Sequence, residues 1–207
     1  TDDEYKIIST GGGIIVEPTS RRLLENSLII WIKRDVKDDE IAYRELPDTY
    51  DKLKITREHL YESMSDYIYI NNRPIDDFTK WLKIILWQNP LPSKSTFLCK
   101  TETTYEANIS NCIELRGDLV PNSLNLIQNM MINFNRPCIY TLRTKEEGGY
   151  FNSNKDEYGK LVTKAVKYGS TIIDLEVGTH NIKLSELLFD NKIQVIGSIH
   201  SNNLDYI

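Results

Sequence analysis

Residues 112–143 read CIELRGDLVPNSLNLIQNMMINFNRPCIYTLR, and this stretch sets the pattern for the second half of the chain. Its two ends, Cys112–Arg116 and Cys138–Arg143, are short apolar runs typical of strands buried on both faces. Between them, Asn122 is a residue type that caps helices, and it precedes apolar residues at helical spacing. These apolar positions are Leu124, Ile127, Met131 and Phe134. A strand, a helix and a strand in this order predict a parallel pair with a right-handed crossover.

The same alternation extends on both sides of this stretch. Three further apolar runs predict strands, at Thr96–Lys100, Thr171–Glu176 and Lys192–Ser198. A helix is predicted over Lys155–Tyr168, and Gly169 stands just after it, where glycine commonly ends a helix. The sequence therefore predicts an α/β fold with a parallel sheet in this half of the chain.

Residues 1–87 form a separate predicted unit. Its strand candidates are Tyr5–Ser9, Leu28–Lys33 and Tyr67–Ile70. One helix is predicted over Asp51–Met64, and a second begins at Asp76-Asp77. The second helix carries four apolar residues on one face, namely Phe78, Trp81, Leu82 and Ile85. Residues 88–95, QNPLPSKS, contain two prolines and two serines, which predicts a linker before a second domain over 96–207.

Composition excludes several classes of protein. The 207 residues carry 25 Lys and Arg against 30 Asp and Glu, a net charge of −5, which argues against binding the phosphates of nucleic acid. Apolar runs such as Ser27–Ile32 are far shorter than the roughly 20 residues that cross a bilayer. Three cysteines without CxxC spacing, Cys99, Cys112 and Cys138, argue against a disulfide scaffold or a zinc site. We therefore expect a cytoplasmic protein that binds neither membranes nor nucleic acid. We expect no bound metal in residues 96–207, the half of the chain that contains these cysteines.

Ionisable residues stand at the ends of four of the predicted strands or shortly after them. They are Glu114, Arg116 and Asp118, then Arg143, Glu146 and Glu147, then Asp174 and Glu176, and last His200. Because parallel strands meet at one edge with their carboxyl ends, we expect these side chains to line one site. Each has a plainer reading, since Glu114 and Arg116 could form a structural ion pair and His200 could be a surface residue. The triplet Gly11–Gly13 could likewise be an ordinary turn.

Four motifs in the second half together resemble the type I 3-dehydroquinate dehydratase family. They are Ile113–Asp118 (IELRGD), Tyr140–Gly149 (YTLRTKEEGG), Asp174–Glu176 (DLE) and Ile196–His200 (IGSIH). They follow one another in the order and approximate spacing of that family. The resemblance implies a partial (β/α)8 barrel.

The first half resembles the later part of a shikimate kinase. The matching motifs are Ser9–Ile15 (STGGGII), Lys33–Asp35 (KRD) and Thr56–Tyr61 (TREHLY). The resemblance implies part of a parallel sheet like that of phosphate-loop kinases. A kinase followed by a dehydratase is the order found in the fungal pentafunctional AROM family of aromatic amino-acid biosynthesis.

The dehydratase resemblance implies a role for each rim residue. His200 would shuttle protons while water is lost from 3-dehydroquinate, and Glu114 would orient and polarise His200. Arg116 and Arg143 would bind the substrate's carboxylate and hydroxyls. Glu147 matches an acidic residue of bacterial members. No cofactor is expected for this reaction.

The kinase resemblance implies a site for shikimate. Gly11, Gly12 and Gly13 would let backbone N–H groups approach the substrate. Arg57 would clamp the shikimate carboxylate, and Arg44 would be the lid arginine that meets phosphate. The intact kinase would use ATP and Mg²⁺. The intact polypeptide is expected to form a homodimer.

The chain departs from both families in ways that predict a fragment. A phosphate loop of the form GxxxxGK[ST] is absent, and no lysine follows His200 to form the Schiff base with the substrate ketone. The chain also starts at Thr1, so we expect a piece of a longer polypeptide that is inactive alone. Ser201 replaces the usual Asp after His200, which leaves open a non-catalytic, metabolite-sensing relative of the quinate-pathway repressors.

Overall fold

The structure, a computed structural model, describes residues 7–34, 50–87, 99–101, 112–152, 155–177 and 193–200, together with 184, 186 and 188. The chain divides into two compact units. The first comprises Thr1–Trp31 and Asp35–Asp66, and the second comprises Ile32–Arg34 and Tyr67–Ile207. The predicted linker 88–95 lies outside the described residues, and the predicted domain boundaries stay a prediction.

The first unit is built around a glycine turn and two helices. Its helices are α1 (Pro18–Leu24) and α2 (Tyr50–Met64). Strand β1 (Ile30–Lys33) crosses from the first unit into the second and pairs with β2 (Tyr67–Ile70) in a two-stranded sheet. Tyr61 on α2 stacks on Trp31, with ring centroids 5.3 Å apart and planes 18° apart. This aromatic pair is the main described packing contact between α2 and the strand.

The second unit contains a five-stranded parallel sheet whose strands follow one another in chain order. Its strands are β3 (Cys99–Thr101), β4 (Cys112–Arg116), β5 (Cys138–Thr141), β6 (Ile172–Glu176) and β7 (Gln194–Ser198). Its helices are α3 (Ile75–Trp87), α4 (Ser123–Phe134) and α5 (Lys155–Lys167). Every neighbouring pair of strands is parallel. The carboxyl ends of all five strands therefore lie at one edge.

The core of this unit has parts on both faces of the sheet. Cys112, Ile139 and Ile172 form a buried cluster, with Ile196 packed against it. Ile127 and Met131 on α4 and Val162 on α5 are also fully buried. Such near-continuous apolar strands are typical of a sheet covered on both faces.

Residues 67–87 pack within the second unit rather than the first. Trp81 on α3 is fully buried against Tyr69 of β2, with ring centroids 5.1 Å apart. Gln128 on α4 caps the β2 backbone, because its amide oxygen accepts from Ile70 N at 2.9 Å and its amide nitrogen donates to Ile68 O. A side chain thus replaces a strand at this sheet edge and satisfies its backbone groups.

Most predicted elements are confirmed, and three differences from the prediction stand out. The predicted strand Tyr5–Ser9 is wrong over Ile7–Ser9, where neither described sheet includes the residues and Ile7 is 99% exposed. An apolar run becomes a strand only where another strand satisfies its backbone. Helix α1 was not predicted, since it buries no residue and so has no apolar periodicity. Strand β5 ends at Thr141, which places Arg143 in the following loop.

Candidate active site

Each of four neighbouring strands ends with two polar side chains two residues apart. The pairs are Glu114 and Arg116, Thr141 and Arg143, Asp174 and Glu176, and Ser198 and His200. Alternate residues of a strand lie on the same face, so Glu114 shares a face with Arg116 and Asp174 with Glu176, whereas Arg143 and His200 lie just beyond the ends of β5 and β7. The register places Arg116 beside Thr141, Thr141 beside Asp174, and Glu176 beside Ser198. The strand ends therefore bring the predicted residues of this half to one edge.

Thr141 lies between carboxylates of the two neighbouring strands. Its hydroxyl donates to Glu114 Oε1 at 2.7 Å, and Asp174 Oδ2 lies 3.4 Å from the same oxygen. Thr141 is 4% exposed, so this contact is shielded from water. The side chains of Glu114, Thr141 and Asp174 thus connect three neighbouring strands, β4, β5 and β6, at the site.

Asp174 is a carboxyl group that the site disfavours as an anion. Burial raises its pKa, and the negative charge of Glu114 raises it further, while Ser198 and His200 act in the opposite direction. Ser198 is close enough to lower this pKa, but neither Ser198 Oγ nor Asp174 Oδ1 has a partner that meets hydrogen-bond geometry. Ser198 Oγ and Asp174 Oδ1 are therefore buried polar atoms whose hydrogen-bonding capacity is not fully used.

Arg116 is held in place by an aspartate two residues further on. Its Nε donates to Asp118 Oδ1 at 2.8 Å and its Nη2 donates to Asp118 Oδ2 at 2.7 Å. The hydrogen bonds that Arg116 donates to Asp118 raise the pKa of Arg116, with Glu114 and Asp174 adding to the effect. Burial opposes ionisation of Asp118, but Arg116 and the Tyr150 amide lower the pKa of Asp118 overall. This bidentate contact with Asp118 fixes the plane of the Arg116 guanidinium group at the end of β4.

His200 is bonded to a carboxylate from the loop after β5. Its Nδ1 lies 2.8 Å from Glu147 Oε2, and its backbone N–H donates to the same oxygen at 3.0 Å. Arg143 Nε donates to the Glu147 carbonyl oxygen at 2.7 Å. Sequence analysis assigns the orienting role to Glu114, whereas the carboxylate in contact with the His200 ring is Glu147. The loop therefore joins the imidazole and one guanidinium group.

Glu176 is a buried residue that holds the start of the loop after β5. It is 5% exposed and accepts from Thr144 N at 2.7 Å and Thr144 Oγ1 at 2.9 Å. Burial raises its pKa, and the two Thr144 contacts oppose this shift. Tyr158 on α5 is buried near Glu176, whose charge adds to the burial that raises the pKa of this tyrosine. These contacts anchor the start of the loop that carries Glu147.

The loop after β5 is folded tightly on its own backbone. Gly149 N donates to Thr144 O at 2.7 Å, and Phe151 N donates to Arg143 O at 3.1 Å. A Cβ at Gly149 would lie 2.2 Å from Arg143 O, closer than any real contact. A glycine is therefore required where the loop passes over its own first residue.

The first unit holds a smaller set of predicted residues. Tyr61 donates from its hydroxyl to the carbonyl oxygen of Gly12, so α2 lies against the turn Gly11–Gly13. Arg57 precedes Tyr61 by one helical turn and shares its face. Arg57 Nε is buried and has no hydrogen-bond partner within the described part of the chain. Arg44 lies outside the described residues.

Neither a metal-binding cluster nor a membrane-spanning helix is present in the part of the chain that the structure describes. No group of three or more His, Cys, Asp and Glu side chains is arranged there to hold a metal ion. None of the helices in the described ranges combines the length and apolar character needed to cross a bilayer.

Sequence analysis missed the hydroxyl residues of the site. Thr141 and Thr144 each donate to a carboxylate there, Ser198 lies close enough to Asp174 to lower its pKa, and none of the three is assigned a role from the sequence. For Thr141 and Ser198 a signal existed, because each is the last residue of a strand and stands two residues before a predicted site residue. For Thr144 no local pattern points to its partner, which lies 32 residues away.

A parallel sheet that brings acids, guanidinium groups and an imidazole to its carboxyl edge is typical of an α/β enzyme that binds a small polar molecule. The sequence model of the family described as type I 3-dehydroquinase matches residues 91–205, more than half of the chain. The chain belongs to this family. The model described as shikimate kinase matches residues 1–85.

The chain is also similar to curated fungal proteins along most of its length. It is 24% identical to a pentafunctional AROM polypeptide of Komagataella phaffii, over 94% of this chain and 15% of that protein. It is 26% identical to the pentafunctional AROM polypeptide of Scheffersomyces stipitis, over 97% of this chain and 16% of that protein. The chain thus spans about 15% of the length of these relatives.

Proposed function

We propose that this chain is part of a multifunctional enzyme of the shikimate pathway, which leads to chorismate and the aromatic amino acids. Residues 96–207 would carry the first part of a 3-dehydroquinate dehydratase. Residues 1–87 would carry the later part of a shikimate kinase. The two family matches in this order and the AROM relatives support the proposal.

The contact between His200 and Glu147 is the observation that carries the dehydratase half. With Nδ1 held by the carboxylate, Nε2 is the ring nitrogen left to accept or deliver a proton. Loss of water from 3-dehydroquinate needs a proton removed at one carbon and delivered to the departing hydroxyl. A histidine fixed at both its ring and its backbone N–H suits both steps.

The charged groups around His200 suit a hydroxylated carboxylate. Arg116 and Arg143 would bind the carboxylate and hydroxyls of the substrate, since planar guanidinium groups match these acceptors. We assign the orienting role to Glu147, because it contacts His200, and we assign Glu114 to a substrate hydroxyl. The Schiff-base lysine is not among these residues, since Lys192 is the last lysine in the sequence.

The kinase half would bind shikimate without completing its own catalytic site. The backbone of Gly11–Gly13 and the unpartnered Nε of Arg57 suit a carboxylate, and Tyr61 holds the turn against α2. The residues present do not fit ATP or Mg²⁺, because the sequence has no phosphate loop and the described part has no cluster of metal ligands. ATP and Mg²⁺ would be used by the intact kinase.

The remaining features of the proposal concern the intact polypeptide. The five ordered strands fit the first part of a (β/α)8 barrel, and β1 and β2 would belong to a kinase-like parallel sheet. We propose a cytoplasmic homodimer that binds neither membranes nor nucleic acid. Alone, the 207 residues would turn over neither substrate, so borohydride would trap no 3-dehydroquinate on them.

Binding of 3-dehydroquinate to the 207-residue chain tests the proposal. We expect saturable binding by calorimetry, and Arg143→Met to weaken it by about tenfold or more, because a charge-assisted contact contributes about 1.5–3 kcal/mol. Arg136→Met is the matched control, since Arg136 follows α4 and is not part of the site. Absence of binding by the unaltered chain, or equal losses in both variants, would contradict the proposal.

A further inference from the structure

The Thr141 hydroxyl lies where it can fix the orientation of the Glu114 carboxylate. Its single hydroxyl proton has two acceptors within reach, Glu114 Oε1 at 2.7 Å and Asp174 Oδ2 at 3.4 Å. A hydroxyl can donate only once but can also accept. The shorter contact, to Glu114, therefore takes the proton, and Asp174 is the more distant of the two acceptors.

The surroundings of Asp174 make it the weaker competitor for this proton. Its carboxyl is partly buried, with Glu114 as a negative neighbour, and burial raises its pKa. The side chains of Glu114, Thr141 and Asp174 therefore form one series of contacts across β4, β5 and β6, in which the Thr141 hydroxyl donates to Glu114 at the shorter distance.

We propose that Thr141 is a positioning residue of this site, which fixes the Glu114 carboxylate in the orientation that meets the ligand. The proposal rests on the proposed function, because the ligand is taken to be 3-dehydroquinate. Thr141 does not touch the ligand in this role; it acts through Glu114. A structural role would differ, since it would affect folding without affecting binding through Glu114.

Four variants of the chain separate the hydroxyl from the shape of the side chain. Thr141→Val removes the hydroxyl and keeps the volume, whereas Thr141→Ser keeps the hydroxyl. Thr163→Val is the matched control, because the Thr163 hydroxyl donates to Gly159 O within α5.

We expect Thr141→Val to weaken 3-dehydroquinate binding by about tenfold, as for a lost hydrogen bond to a charged group. Thr141→Ser should stay within about twofold of the unaltered chain, and Thr163→Val should not change binding. If Thr141→Val fails to fold, Thr141→Ala replaces it in the comparison with Thr141→Ser.

The route through Glu114 is tested by a double substitution. In a chain that already carries Glu114→Ala, adding Thr141→Val should cause no further loss of affinity, because the positioned group is gone. A further tenfold loss would show that Thr141 acts independently of Glu114, and the proposal would then be wrong.

Crystal structures without ligand keep this inference separate from the proposed function. We expect the Glu114 carboxylate to move in Thr141→Val and to keep its position in Thr141→Ser. If Glu114 stays in place in Thr141→Val, the positioning role is overturned whatever the chain binds. If the unaltered chain does not bind 3-dehydroquinate but Glu114 moves as expected, only the proposed function fails.

Discussion

The strand-end site of the second unit and the glycine turn of the first unit are held in different ways. At the strand ends, contacts such as Thr141 to Glu114 and Thr144 to Glu176 run from strand or loop to a neighbouring strand and are shielded from water. At Gly11–Gly13 the three glycines are exposed, and the described side-chain contact is Tyr61 on the Gly12 carbonyl. The first arrangement is fixed by sheet register, and the second depends on one helix lying nearby.

This difference predicts how the two regions respond to the same change. A buried network leaves no room for added atoms and leaves unsatisfied groups when a partner is removed. An exposed turn can adjust, because water replaces lost contacts. We therefore expect glycine, charge and hydroxyl substitutions to destabilise the strand-end site more than the glycine turn.

The largest expected effect is that of Gly149→Ala. The new Cβ would lie 2.2 Å from Arg143 O and 2.6 Å from Arg143 C, which are backbone atoms that cannot rotate away. We expect a loss of about 3 kcal/mol or more in the free energy of unfolding, as for severe overpacking. Gly11→Ala is the control, since a Cβ there meets nothing within 4 Å. Urea melts of both variants measure the difference.

Equal losses for Gly149→Ala and Gly11→Ala would contradict the distinction between the regions. A small loss for both would mean that the loop after β5 can open without cost. A large loss for both would mean that the glycine turn is as constrained as the loop.

A smaller effect is expected for Asp118→Asn. The amide can accept from Arg116 at only one of the two positions, so we expect a loss of about 2 kcal/mol at neutral pH. Arg116 and the Tyr150 amide lower the folded-state pKa of Asp118, so its contribution is complete above the unfolded pKa and is lost as pH falls through the folded value. The difference in the free energy of unfolding between the variant and the unaltered chain should therefore become smaller below about pH 4. Melts over a pH series measure it.

Asp76→Asn provides the control for this charge change. Asp76 lies exposed in the first turn of α3, where a carboxylate contributes at most about 1 kcal/mol. A gap for Asp118→Asn that stays constant at acid pH would show that the paired charge is not what stabilises this strand end.

The fold of the second unit follows from local pattern to a large extent. Strand β4 and helix α5 begin at the residues that the sequence predicts, and Gly169 has the positive φ of 103° expected after a helix. The prediction is wrong at Ile7–Ser9, an apolar run that lies in neither described sheet. Apolar sequence sets the tendency to form a strand, but pairing decides the outcome.

The site could be predicted in part for the same reason. Strand spacing alone places Glu114 and Arg116 on one face, and parallel order places His200 at the same edge. It does not reveal that Glu147 contacts the His200 ring, since that contact depends on how the loop after β5 folds back. Loop closure is a tertiary property that no local period encodes.

The smallest expected effect is that of Tyr61→Phe. Phenylalanine keeps the stack on Trp31 and loses the hydroxyl that donates to the Gly12 carbonyl. Since this carbonyl lies in an exposed turn, water replaces the donor, and we expect a loss of at most about 1 kcal/mol in thermal melts. Tyr150→Phe is the control for an exposed tyrosine. A loss as large as that of Asp118→Asn would show that the turn is held as firmly as the strand ends, and a simultaneous fall in shikimate affinity would mean that this hydroxyl shapes the predicted substrate site.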